Sequence, residues 1–250
     1  FMVWTADFNG DGRPDILVLG RVLHHQAFWY ENPGAAEATK PDARWKKHFV
    51  ANRVFGEAPL FRDITGDGKP ELISISGETA ADKVKQWGWY APNWTEPTQP
   101  WKFVPVTAKA EFNHYYHGEG VGDINGDGRA DLVLNEGWWE QPPKNSPPGT
   151  LWKKHAFTFS SDRGGAQIFV TDVNGDGQAD IVTALNAHGW GLAWFEQKRD
   201  ATGALTFVEH KMMGTREEEK KYGVAFSQPH ALTLADLDGD GLPDVITGKR

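Results

Sequence analysis

One acidic nine-residue segment recurs five times along this chain without a gap: Asp7–Asp15, Asp63–Glu71, Asp123–Asp131, Asp172–Asp180 and Asp236–Asp244. Its form is D-x-[DNT]-G-D-G-x-x-[DE], and its first aspartates stand 56, 60, 49 and 64 residues apart. The paired glycines mark a tight turn, since glycine reaches positive φ at little cost. A turn repeated at that period points to similar units stacked side by side, each burying the face its neighbour offers.

What lies between the turns repeats as well. The first four are followed by an aliphatic stretch (Ile16–Val18, Leu72–Ile73, Leu132–Leu134, Ile181–Val182) and then by an aromatic one (Phe28–Tyr30, Trp87–Tyr90, Trp138–Trp139, Trp194–Phe195). A third stretch carries Trp45–His48, Trp101–Phe103, Trp152–His155 or Phe207–His210. Short runs rich in β-branched and aromatic residues read as strands. Counting the strand ahead of each turn, one period holds four strands, A to D, and the acidic turn joins A to B. Four strands in about 50–60 residues is the arithmetic of a propeller blade. The expected fold is therefore all-β: a β-propeller of four-stranded blades, five of them partly or wholly present. Within a single domain the blades fall near residues 1–56, 57–115, 116–165, 166–229 and 230–250, the last lacking strands C and D. Phe1 opens on a strand pattern rather than a leader, so the chain is expected to be a fragment of a larger, seven-bladed propeller.

The turns hold sixteen of the 34 acidic residues, a crowding that calls for a cation. Side-chain oxygens at positions one, three, five and nine, with the carbonyl of position seven, make the hard-oxygen set that Ca²⁺ prefers. The candidate ligands are Asp7, Asn9, Asp11, Arg13 and Asp15 in the first turn, and Asp63, Thr65, Asp67, Lys69 and Glu71 in the second. The third offers Asp123, Asn125, Asp127, Arg129 and Asp131, and the fourth Asp172, Asn174, Asp176, Gln178 and Asp180. The fifth offers Asp236, Asp238, Asp240, Leu242 and Asp244. Five bound ions would move the formal charge from −8 to about +2. An EF-hand needs glutamate at position twelve between helices. Here that position holds Val18, Ser74, Leu134, Thr183 and Thr247, all in strand patterns. Plain acidic turns would explain one such copy, but not five. With Thr65 and Glu71 in place of the usual residues, the second turn is expected to bind least tightly.

These turns, with the interleaved Trp29-Tyr30-Glu31-Asn32-Pro33 and Trp45-Lys46-Lys47-His48 segments, resemble the FG-GAP-like (VCBS) repeat family over nearly the whole chain. That family is similar to the calcium-binding blades of integrin α-subunit heads. The resemblance implies calcium as cofactor, with ligands at the first, third, fifth and ninth residues of each turn. It also implies a secreted, periplasmic or cell-surface protein acting as a binding or adhesion module for carbohydrate or protein surfaces. Some calcium-loop propellers are polysaccharide lyases, which supplies the alternative.

Residues that recur with the period are scaffold by default. His48, His155 and His210 share one place in strand D, whereas His24, His25, His114, His117, His188 and His230 break the repeat. All six fall on B–C connections or just ahead of strand A, at the blade ends away from the acidic turns. With Glu119, Lys249 and Arg250 they form a candidate ligand face, on which a lyase would place its site. Mutual hydrogen bonding in a polar channel is the plainer account of these histidines. The connection from Met212 to Pro229 reads as a candidate lid or partner contact, its charged run Arg216–Lys221 as solvated surface. The net charge of −8 argues against nucleic acid as partner, the chain has no run of 18 apolar residues that would make a membrane-spanning helix, and the absence of cysteine excludes disulfides and thiolate metal sites.

Overall fold

Residues 2–20, 25–77, 84–113, 115–162 and 164–249 are described by a computed structural model. Their contacts gather into two compact units. One runs to Arg62 and resumes at Pro70, ending ahead of Tyr115; the other holds Asp63–Lys69 and the chain from Tyr115 onward.

The first unit contains two antiparallel sheets. β1 (Met2–Ala6), β2 (Asp15–Leu19), β3 (Ala27–Glu31) and β4 (Lys46–Ala51) form one, in chain order. β5 (Val54–Arg62), β6 (Glu71–Gly77), β7 (Val84–Ala91) and β8 (Lys102–Pro105) form the next, and the short β9 (Ala110–Glu111) also pairs with β7. The second unit repeats the pattern with β10 (Glu119–Gly122), β11 (Asp131–Leu134), β12 (Gly137–Glu140) and β13 (Lys153–Ala156). A further sheet follows, of β14 (Phe169–Thr171), β15 (Asp180–Ala184), β16 (Leu192–Arg199) and β17 (Leu205–Met213). The hairpin of β18 (Pro229–Ala235) and β19 (Asp244–Lys249) comes last. Every acidic turn thus joins the first strand of a sheet to the second. The position-twelve residues Val18, Ser74, Leu134, Thr183 and Thr247 all lie inside the second strands, so the flanking helices of an EF-hand are absent.

Alternation places apolar side chains on the packed faces. In the first unit Leu17, Leu19, Trp29, Val50 and Leu72 close round Phe8, the second residue of its turn. Phe8 lies 5.5 Å from Trp29 and Trp101 and stacks on Trp94 at 5.7 Å. In the second unit Ile124, at the matching place in its turn, joins Val133, Trp138, Phe159 and Phe195. A buried side chain of this size stabilises the fold by about 1.5–3 kcal/mol, so the first and third turns are anchored by the cores that hold their sheets, whereas Val173 and Leu237, at the same place in the fourth and fifth turns, are exposed.

The strand-D histidines have a definite structural job. His48, His155 and His210 stand directly across from Trp29, Trp138 and Trp194 in the neighbouring strand. Each lies flat on its tryptophan, with ring centres 4.0, 4.0 and 4.3 Å apart. Each Nε2 also meets the next-but-one glutamate, Glu31, Glu140 or Glu196, at 2.7–2.9 Å. This explains why Trp, Glu and His recur together.

Two expectations change. His230 sits within β18 rather than ahead of it. The 212–229 connection is also not a plain loop: β17 runs to Met213, and Arg216–Glu219 forms a helical turn. There the Thr215 N–H donates to Glu218 and the Gly214 N–H to the buried Glu219, so the charged run is partly internal.

Candidate metal centres

The position-one aspartate organises each turn. In all five, the N–H of the first glycine donates to its Oδ1 and that of the second glycine to its Oδ2, at 2.7–3.0 Å. Both glycines lie at φ between +73° and +86°, a left-handed backbone that aims their N–H groups inward. The position-five carboxylate, of Asp11, Asp67, Asp127, Asp176 or Asp240, accepts the N–H of position seven at 2.8–3.0 Å. Positions Arg13, Lys69, Arg129, Gln178 and Leu242 thus each give the turn a backbone donor. Asn9, Asn125, Asn174 and Asp238 accept the position-five N–H through Oδ1. Thr65 instead places its hydroxyl 3.4 Å from Asp63 Oδ1. Carboxylate oxygens of Asp63, Asp67 and Glu71 in the second turn, and of Asp236, Asp238 and Asp244 in the fifth, come within 4.8 Å of one another.

Position nine ties the turn to the sheet. Asp15, Asp131 and Asp180 are fully buried at the start of the second strand, and Glu71 is nearly so. Oδ2 of each of these aspartates accepts the N–H of position two, from Phe8, Ile124 or Val173, at 2.9–3.0 Å, and Asp244 accepts that of Leu237. Oδ1 accepts the N–H of Asn32 or Gln141, each just past the third strand, or of Gln197 within β16, at 2.8 Å. The same glutamines reach further: Gln141 Nε2 donates to the Ile64 carbonyl and Gln197 Nε2 to that of Ile124, each in the preceding turn. Sequence reasoning missed these tethers, although the recurring Glu-Asn and Glu-Gln pairs after the aromatic strand were their trace.

Burial pushes the Asp131 carboxyl up to about 7 against the pull of the Gln141 and Ile124 N–H groups, with Asp127 and Asp123 adding repulsion. Asp15 and Asp180 are raised for the same reason. Asp63 differs: burial opposes ionisation, but the N–H groups of Gly68, Gly66 and Asp67 outweigh it and hold the carboxyl below the usual range. A second local feature went unread in the sequence. The Arg13 and Arg129 guanidinium groups pair with Asp11 and Asp127, while their Nε atoms donate to the carbonyls of Asn32 and Gln141 at 3.1 Å. These two turns therefore already carry part of a counter-charge.

The donor set fits a hard divalent cation. A carboxylate has about four lone-pair sites, and each oxygen of Asp15, Asp131 and Asp180 accepts one backbone N–H, leaving capacity for a metal. The residues that would hold the ion are the position one, three, five and nine side chains with the position-seven carbonyl.

At the opposite ends of the sheets in the second unit, three histidines that break the repeat meet. His117 precedes β10, His188 lies in the turn between β15 and β16, and His230 is on β18. Ligand atoms from the three lie within 4.8 Å of one another, and Nε2 of His117 is 3.1 Å from Nε2 of His230. Glu119 is buried in β10 and Lys249 is exposed at the end of β19. In the first unit the His25 ring lies against Phe55, centres 4.7 Å apart and tilted by 48°. His24, His114 and Arg250 lie outside the described residues.

The FG-GAP-like repeat description matches residues 7–74 and 172–247, together more than half of the chain. No curated protein matches. Among solved structures, the V. cholerae biofilm matrix protein Bap1 is similar at 19% identity and a TM-score of 0.45, over 98% of this chain and 34% of that one. The chain thus spans about a third of that protein's length. Repeated acidic turns, their shared geometry and the match over both stretches place the chain in the FG-GAP-like repeat family.

Proposed function

We propose that the chain is an exported, calcium-organised β-propeller protein that acts as a binding module for carbohydrate or a protein surface. The observation that carries this reading is the shared glycine-to-aspartate hydrogen bonding of five acidic turns, each at the junction of a first and second strand. The blade arrangement is supported within the second unit, where β10 lies against β14 and β15 against β18, so that successive sheets meet through their inner strands. Family membership supports export. Calcium sites of extracellular modules work at Kd values of about 10⁻⁴–10⁻³ M, the range expected of exposed acidic turns such as these.

Calcium withdrawal tests the metal half. Each site filled at a hundredfold excess over its Kd stabilises the native state by about 2.7 kcal/mol, so EGTA should lower the Tm sharply. An unchanged melting curve, with no calcium found by elemental analysis, overturns it. For the binding half, immobilised chain in calcium is challenged with neutral and acidic polysaccharides and with cell-surface proteins. Retention that disappears in EGTA supports a binding module; no retention of any of them counts against it.

A further inference from the structure

The calcium reading uses none of His117, His188 and His230, and their arrangement differs from that of every scaffold histidine. His48, His155 and His210 lie flat on tryptophan, at interplanar angles of 16°, 6° and 14°. The three converging rings stand nearly perpendicular to one another, at 85°, 86° and 79°, with centres 5.0, 4.7 and 5.0 Å apart. Three nitrogens set tetrahedrally round a metal at about 2.0–2.1 Å would lie roughly 3.3 Å apart, with ring centres about 5 Å apart. The 3.1 Å between the His117 and His230 nitrogens and the three ring separations match that figure. The exposed His188 ring is free to make the remaining adjustment.

Each ring comes from a different sheet, and the backbone fixes its approach. The His188 N–H donates to Asn186 Oδ1 at 2.9 Å, and the Ala187 N–H to the Gly164 carbonyl at 2.9 Å. Ahead of His230, Gln228 donates its N–H to the Gly189 carbonyl at 2.7 Å and sits at φ +59°. Such a backbone is costly for a residue with a side chain and persists only where the surroundings impose it. Leu232 N–H is held by Gln167 Oε1 at 3.0 Å, which fixes β18 beside the fourth sheet.

We propose that His117, His188 and His230 form a tri-histidine site for a divalent transition metal of the zinc class. Imidazole nitrogen suits zinc, copper, nickel and iron, and is a poor match for the hard calcium ion of the acidic turns. Three neutral imidazoles leave the full double charge of the ion in place and one tetrahedral position open. That position takes water or an anionic oxygen, such as a carboxylate group on a bound ligand. One metal there joins the third, fourth and fifth sheets at the ends that the acidic turns do not reach.

The test is Zn²⁺ titration of the purified chain in excess calcium, with Co²⁺ absorption reporting tetrahedral nitrogen coordination. Wild type should bind about one zinc through three histidines. His188→Ala, at an exposed turn position, should weaken binding by about 100-fold or more, since even outer partners of a ligand are worth about 10–100-fold. His210→Ala, a scaffold histidine, should leave zinc binding unchanged, and calcium-dependent melting should survive in His188→Ala. Absence of zinc binding by wild type overturns the proposal, as does binding that is equally tight in His188→Ala and His230→Ala. Because calcium-dependent melting is scored separately, this failure is distinct from failure of the calcium reading.

Discussion

Asp131 shows how one side chain can serve both fold and site. Its two oxygens join the turn to the third strand through Ile124 and Gln141, and burial raises its carboxyl to about 7. In metal-free protein the folded pKa is thus above the unfolded value of about 3.9, so the folded state takes up the proton more readily. This group then favours folding most below about pH 4 and progressively less as pH rises to 7, levelling off above. A cation on the carboxylates reverses that preference. Melting curves from pH 4 to 8 in EGTA should therefore fall more steeply for wild type than for Asp131→Asn, and calcium should remove the difference. Identical slopes would mean that the carboxyl ionises freely. The turns also differ in strength. In calcium, Asp127→Ala unpairs the Arg129 backbone and guanidinium and should cost about 1–3 kcal/mol, against about 0.5 or less for Thr65→Ala; equal losses in denaturant unfolding would contradict the assigned hierarchy.

Among the elements, glycines set the spacing of sheets. A Cβ added at Gly120 in β10 would fall 2.5 Å from the Ile168 carbonyl oxygen and 2.9 Å from its Cβ. Backbone cannot yield there as a flexible side chain would, so Gly120→Ala should destabilise by about 1–3 kcal/mol, read as a shift in denaturant midpoint. An unaltered midpoint would show that the sheets stand further apart. The strand order was legible in the sequence because turn, aliphatic run and aromatic run repeat in phase. The capped helix at Arg216–Glu219 was not, since its charges look like surface until Glu219 is seen to turn inward. Likewise the off-period histidines stood out by breaking the repeat. That three of them converge depends on where separate sheets place their ends, which no local pattern encodes.

For the whole molecule, charge is the governing quantity. Sixteen acidic groups concentrated in five turns repel one another across the described sheets, and formal charge stands at −8. Raising sodium chloride screens such repulsion over about 10 Å at 0.1 M. In EGTA the Tm should therefore climb with salt, and in saturating calcium it should be nearly flat. Equal slopes in the two conditions would indicate that bound ions do not neutralise the turns. The glutamine tethers add a direction to this assembly. Gln141 closes on Ile64 across 77 residues and Gln197 on Ile124 across 73, always backwards along the chain. On the ribosome, each of these turns stays unfinished until the repeat after it has emerged. Maturation consequently proceeds one step behind synthesis, and a ribosome that stalls between repeats leaves its most recent turn without the hydrogen bond that completes it.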